Sequence, residues 1–334
     1  MIAEETRSLA ELRADAVAEG ATLTVYAGGD IADQQDYTVA GFRQACPEIE
    51  INMVVDYSKY HNVRIDRQLA EGRLIPDVAH LQTVHDFDRW KSLGVLNPYK
   101  PAGFGDIHDM FKDPDGHWYA IGVFAFSYMH GPDGGPATPQ HLIDPEWRGR
   151  IVSSHPGDDD ATLHLYKTYA ERYGWDWIER LAGQDITFRR GTNSPGDAVD
   201  AGTSPIGLAG AETGGADTTT WVTPPPGHPF LAWGQRAAMF TAARHPAAAK
   251  LYLNWLLTPE WQASGQHGWG VRADVPPTSK HIWDLPDGHA ADFVEFMADR
   301  AAVERWRQTM VLYFGEVAGP PTPGWLGLSP TQHA

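Results

Sequence analysis

Residues 155–166, HPGDDDATLHLY, set three consecutive aspartates between two histidines, directly after the run Ile151-Val152-Ser153-Ser154. Adjacent carboxylates repel one another, so a chain that keeps three of them has a use for at least one. Three chemistries fit. His155, Asp158 and Asp160, completed by Glu212 and His61, could ligate a divalent ion, because imidazole and carboxylate suit several such metals. Carboxylates facing a ligand would favour an ammonium, an amidine or a hydroxyl-bearing compound, since an ionised Asp only accepts hydrogen bonds. One Asp at a helix N-cap and another beside the positive helix end would stabilise that helix by about 0.5 to 2 kcal/mol. Known metal and phosphate motifs do not match. Ala161 and Thr162 after the triple exclude DDxxD, an EF-hand lacks its Gly and terminal Glu, and no HxxxH pair is present.

The chain that must position this turn has 334 residues, long for one hydrophobic core and suited to two lobes. Its 42% hydrophobic and 21% charged residues are those of an ordinary globular protein. The net charge is -17 with seven lysines, so the basic footprint of a nucleic-acid binder is missing and anionic membrane surfaces are disfavoured. Cys46 stands alone, which excludes an intrachain disulfide, a CxxC pair and a cysteine-rich zinc site. No window approaches 18 consecutive apolar residues, so no membrane span is expected. The N-terminal stretch MIAEETRSLAELRADAVAEG has no basic n-region or apolar h-region and reads as no signal peptide. Either an export signal was removed or the protein works in the cytoplasm.

Short apolar strands alternate with amphipathic helices, the pattern of α/β layers. A helix over 7–19, the strand TLTVYAGGD, a helix over 33–46, the strand IEINMVVDY, a helix with Ser58 as N-cap, the strand PDVAHL and the helix VHDFDRWKSLG follow in turn. The long aromatic strand HWYAIGVFAFSYMHG then carries the chain out of the first lobe near residue 130. RGRIVSSHP, a helix over 158–173, ITFRRG, a helix over 195–201 and PIGLAG form a second set of βα units. FLAWGQRAAMF reads as a strand back to the first lobe, followed by HPAAAKLYLNWLLTPEWQ, more helix over 289–312 and a Pro/Gly-rich tail. This predicts lobe 1 over 1–128, lobe 2 over 129–228, and a return over 229–334 with C-terminal helices. Two lobes joined by crossing strands close like a hinge on a ligand in the cleft.

Five ordered segments resemble the type 2 periplasmic solute-binding proteins, in the iron(III)-type ABC-transporter branch. They are LRADAVAEGATLTVYAGGD, RIDRQLAEGRLIPDVAHLQTVHDFDRWKSLGVLNPYKP, MFKDPDGHWYAI, LIDPEWRGRIVSSHP and HPFLAWGQRAAMFTAARHPAAAKLYLNWLLTPEWQ. The resemblance implies a two-lobed α/β fold with an interlobe cleft, a monomer, an extracytoplasmic place and an ABC-transporter permease as partner. Iron-binding members use a His or Glu of the first lobe and an adjacent tyrosine pair of the second. Here residues 205–221, PIGLAGAETGGADTTTW, contain no tyrosine, which points away from ferric iron.

Ligands of open α/β sheets bind outside the carboxyl ends of the strands. That rule nominates Gly28, Gly29 and Asp30, then Tyr57, Ser58 and His61, then His80, Gln82 and Thr83 in the first lobe. In the second it nominates His155 with Asp158, Asp159 and Asp160, then Thr192, Asn193 and Ser194, then Glu212 and Thr213. Gly28-Gly29 admits close backbone approach, or is a plain turn. Ser194 as N-cap with Pro195 at N1 would offer free N–H groups to an anion, or only cap its helix. Arg189 and Arg190 could add positive charge. Tyr26, Tyr57, Trp118 and Trp221 are the aromatics near strand ends or crossings, each serving packing or a ligand wall.

The best-supported function is capture of a small polar solute without catalysis or a resident cofactor. A divalent metal at His155, Asp158, Asp160 and Glu212 is the cofactor alternative. The functional alternatives are an enzyme on the same scaffold, with His155 beside an aspartate as general base, and a cytoplasmic ligand sensor. No P-loop, nucleophile elbow or Rossmann fingerprint is present.

Overall fold

The computed structural model describes residues 2–211, 218–266, 268–278 and 280–319. The chain divides into two compact units. Among the described residues, the first holds those up to Val123 and Gly234–His281, and the second holds Phe124–Trp233 and residues 282–319.

The first unit opens with α1 (Leu9–Glu19), set by a capping box in which Ser8 and Glu11 satisfy each other's backbone N–H. Then come β1 (Thr22–Gly28), α2 (Asp36–Ala45), β2 (Glu50–Asp56), α3 (Ser58–Ala70), β3 (Val78–Leu81) and α4 (Val84–Ser92). β1 pairs in parallel with both β2 and β3. The unit boundary at Val123 falls inside β4 (Tyr119–His130). Every residue of β3 is buried, as expected of a parallel strand covered on both faces. Tyr26, Ile65, Leu81, Phe87, Trp90 and Phe240 are among the side chains of the core around these strands.

The second unit contains β5 (Ile151–Ser154), α5 (Asp160–Tyr173), α6 (Trp175–Ala182), β6 (Thr187–Arg189), α7 (Ser194–Asp200), β7 (Ile206–Ala211) and β8 (Thr220–Trp221). β5 lies parallel to both β6 and β7, while β4 runs antiparallel to β7 and β8. β9 (Leu231–Met239) crosses the second boundary at Gly234 and pairs antiparallel with β3, and α8 (Pro246–Leu256) and α9 (Pro259–Ala263) follow in the first unit. Finally α10 (Ala290–Ala298) and α11 (Arg300–Phe314) belong to the second unit.

The strands fall where the apolar runs placed them. Three details differ from expectation. The chain enters the second unit at residue 124, inside β4, and not near 130. The C-terminal helices, expected with the first lobe, group with the second, because Arg300 and Arg307 both bind Asp160 and Phe314 packs on Tyr166. The helical stretch expected over 289–312 is interrupted at Asp299, whose carboxylate accepts the Ala302 N–H at 2.9 Å and starts α11 anew.

Candidate functional site

In the first unit β1 ends on Gly28, beside the N-terminus of α3. A Cβ on Gly28 would collide with Ser58 Oγ, and one on Gly29 would stand 2.5 Å from Val55 Cγ1. Both glycines are therefore required by close packing within this turn. Ser58, expected as an N-cap, is the first helical residue after Tyr57. Its hydroxyl instead accepts the Gln82 N–H at 2.9 Å, tying the end of β3 to the start of α3. The Asp30 N–H donates to Gln34 Oε1, and Gln35 Nε2 donates to the Gly28 carbonyl at 3.0 Å. Gln235 of β9 also reaches this turn, 3.5 Å from where a Gly28 Cβ would be.

The Tyr57 ring meets Tyr60 edge-on at 5.4 Å, with Lys59 Nζ 5.0 Å from its centroid. His61 is wholly buried, its Nε2 3.0 Å from the Val54 carbonyl and its Nδ1 2.9 Å from Arg64 Nη1. That pattern makes Nε2 the protonated nitrogen and Nδ1 the acceptor, so neither is left for a metal ion. Arg64 also binds buried Asp56 at 2.9 Å. Gln82 is half-buried, and His80 is buried 3.4 Å from the Tyr252 hydroxyl. Thr83, at the N-terminus of α4, is 4% exposed, and its Oγ1 is buried with no hydrogen-bond partner among the described residues.

In the second unit the three aspartates have three different partners. Asp158 accepts two hydrogen bonds from Arg190, from Nε at 3.0 Å and Nη2 at 2.7 Å. Asp159 is the N-cap of α5 and accepts the Thr162 N–H at 2.8 Å. Asp160 receives Arg300 Nη2 at 2.8 Å and Arg307 Nη2 at 2.5 Å. The run that suggested surplus negative charge is thus neutralised within its own unit.

His155 is 3% exposed, and its Nδ1 accepts the Gly157 N–H at 2.9 Å. The neutral ring then carries its proton on Nε2, which is buried and, among the described residues, has only the Phe314 and Gly315 backbone beside it, short of good hydrogen-bond geometry. Burial pushes the imidazole below its ordinary value, against the pull of Asp158, the backbone at Gly315 and Phe314, and Glu316. Thr192, Asn193 and Ser194 are half-buried. α7 begins at Ser194, one residue before the expected start, with Asn193 at its N-cap. The Ser194 hydroxyl donates to the Arg190 carbonyl at 2.8 Å instead of capping. Glu212 and Thr213 lie outside the described residues.

Among the described residues, the one group of His, Cys, Asp and Glu side chains close enough to share an ion is Asp113, Asp115 and His117. Lys91 already stands 2.7 Å from both aspartates. Burial alone would raise the Asp113 pKa, but Lys91 and His117 outweigh it and hold the carboxyl low. Of the aromatics near the strands, Tyr26 packs on His61 at 4.6 Å, and Trp118 carries the Arg236 guanidinium 3.5 Å above its ring.

Gln235, Lys59, Arg300 and Arg307 were not nominated from sequence. Gln235 had a visible signal, a polar residue in the apolar run FLAWGQRAAMF. The two arginines had none, because they sit 140 and 147 residues from Asp160.

Two α/β units exchanging the chain within β4 and β9 have the architecture of the two-lobed periplasmic binding proteins, and solved members of that class match the fold. AfuA from Actinobacillus pleuropneumoniae, described with exogenous fructose-6-phosphate bound, is 16% identical with a TM-score of 0.69, over 89% of this chain and 99% of that one. An ABC-transporter substrate-binding protein from Agrobacterium tumefaciens is 14% identical with a TM-score of 0.74, over 88% and 94%. Iron-bound HitA from Pseudomonas aeruginosa is 17% identical with a TM-score of 0.65, over 86% and 99%. No curated protein matches in sequence. The family profile of the bacterial extracellular solute-binding proteins matches residues 74–282, and the chain belongs to that family. Among the described residues no helix is long and apolar enough to cross a membrane.

Proposed function

We propose that the protein captures a small polar solute rich in hydrogen-bond acceptors, outside the cytoplasm, and hands it as a monomer to an ABC-type permease. In each unit by itself, a polar residue at a strand carboxyl end carries the reading: in the first unit Thr83, whose buried Oγ1 has no partner among the described residues, and in the second His155, whose buried Nε2 has only the Phe314 and Gly315 backbone beside it, short of good hydrogen-bond geometry. Most buried polar atoms in native proteins are satisfied, so an orphan at a strand carboxyl end, where ligands of α/β sheets bind, supports a ligand atom there. A neutral His155 donates from Nε2, which suits a hydroxyl, carboxylate or phosphate oxygen. A cationic solute loses its support, because Arg190, Arg300 and Arg307 answer Asp158 and Asp160. Ferric iron is disfavoured by the tyrosine-free segment 205–221 and by the full engagement of both His61 nitrogens.

A thermal-shift panel of inorganic phosphate, sugar phosphates, carboxylates, polyamines, thiamine-like cations, divalent metals and ferric citrate tests this. A ligand at 100 times its Kd stabilises the chain by about 2.7 kcal/mol. An oxygen-rich anion or polyol should raise the melting temperature, and the polyamines and metals should not. A shift with ferric iron alone would overturn the reading.

A further inference from the structure

We propose that residues 315–319 form a strap over the carboxyl ends of β5 and β6, so that a solute reaches His155 and Arg190 only when the strap swings aside. The inference rests on the reading of these loops as a half-site. α11 ends at Phe314, whose ring packs 5.2 Å from Tyr166 and 5.5 Å from Phe188. Phe188 in turn meets the His155 ring at 4.8 Å. Gly315 has φ 79°, a conformation that costs glycine little, and it turns the chain at the end of α11. The Phe314 and Gly315 backbone passes close to His155. Val317 then lies against the β5 turn, with its Cγ2 3.1 Å from where a Cβ on Gly157 would be. The Gly319 carbonyl comes within 3.4 Å of Nη1 of Arg190, the same guanidinium that holds Asp158. Five residues thus run from the loop after β5 to the loop after β6.

The anchor of the strap is held firmly. Glu316, Ala318 and Gly319 are exposed, and the strap meets the loops through the Gly315 backbone beside His155, the Val317 side chain and a long carbonyl bond to Arg190. α11 is fixed by Arg300 and Arg307 on Asp160, and by Trp306 and Tyr313 stacked 5.5 and 5.4 Å from Trp175. A rigid helix, a glycine joint and a largely exposed segment make a cover that moves without unfolding the unit.

The test places a thiol beneath the strap with His155→Cys and follows its alkylation by iodoacetamide. Cys46 stays silent, being 2% exposed with its thiol pushed up to about 11 by burial. The expected result is alkylation about tenfold faster in a chain ending at Phe314 than in the full chain, with circular dichroism unchanged. If the shortened chain does not fold, Val317→Asp in the full chain replaces it, with a severalfold increase expected. Equal rates overturn the strap. A silent ligand panel beside a large rate difference would sink the binding reading and leave the strap, and a responsive panel beside equal rates would do the reverse.

Discussion

Arg190 grips Asp158 in a two-pronged hydrogen bond, joining the end of β6 to the turn that starts α5. The carboxylate is 6% exposed and the guanidinium 17%, so the pair is largely removed from water. A planar guanidinium matches both carboxylate oxygens at once, which lysine cannot do. Arg190→Gln strands a buried charge and is expected to cost about 3 kcal/mol, the low end for breaking a buried pair. Asp158→Asn combined with Arg190→Gln should recover most of that loss. Urea melts of the two single variants and the double give the answer, and additive losses would deny the coupling.

How much of this was legible in sequence depended on the distance between partners. Asp159 as a helix cap could be read, because the N–H it accepts belongs to Thr162, three residues on. The partners of Asp158 and Asp160 lie 32, 140 and 147 residues away, and no local pattern marks them. β1, β3, β5 and β7 were legible as short apolar runs, whereas the restart of the helix at Asp299 was not, having no Pro or Gly to signal it. The strand-end rule found the loops carrying Thr83 and His155. It could not say which atoms there lack partners, since that follows from tertiary packing alone.

Gly28 and Ser58 are coupled by contact. Gly28→Ala drives a methyl group into Ser58 Oγ and is expected to destabilise the chain by about 1 to 3 kcal/mol. Ser58→Ala removes the obstacle but also the acceptor of the Gln82 N–H, a loss of roughly 1 kcal/mol. The double variant should therefore be more stable than the sum of the two losses predicts. Strict additivity in thermal melts would mean that the turn relaxes and that Gly28 is not there for space.

His164 should shape the acid limb of the stability profile. Its ring lies 5.5 Å from Phe293 and 5.1 Å from Phe296, with both nitrogens buried and without a hydrogen-bond partner among the described residues. Burial lowers its pKa from 6.5 to about 3, with Lys167 and His289 adding to the drop and Asp292 opposing it. The unfolded chain therefore takes up the proton first. The stability this group contributes is complete above its unfolded value of 6.5 and is lost as pH falls toward 3. The slope over that range approaches about 1.4 kcal/mol per pH unit from this one residue. His164→Leu should flatten denaturation free energies across the same window, and an unchanged slope would place the acid sensitivity elsewhere.

Thr83 separates binding from folding. A buried hydroxyl without a partner costs the free chain the desolvation of that group, about 1 to 3 kcal/mol. Thr83→Val keeps the shape and removes the hydroxyl, so the ligand-free melting temperature should stay level or rise. If the hydroxyl meets the solute, the bound state loses one hydrogen bond worth about 1 kcal/mol, and affinity falls roughly fivefold. Calorimetric titration of the panel's strongest ligand against both chains measures the two effects separately. Lower free-state stability with unchanged affinity would show that Thr83 Oγ1 serves the fold, and would remove Thr83 from the proposed binding residues.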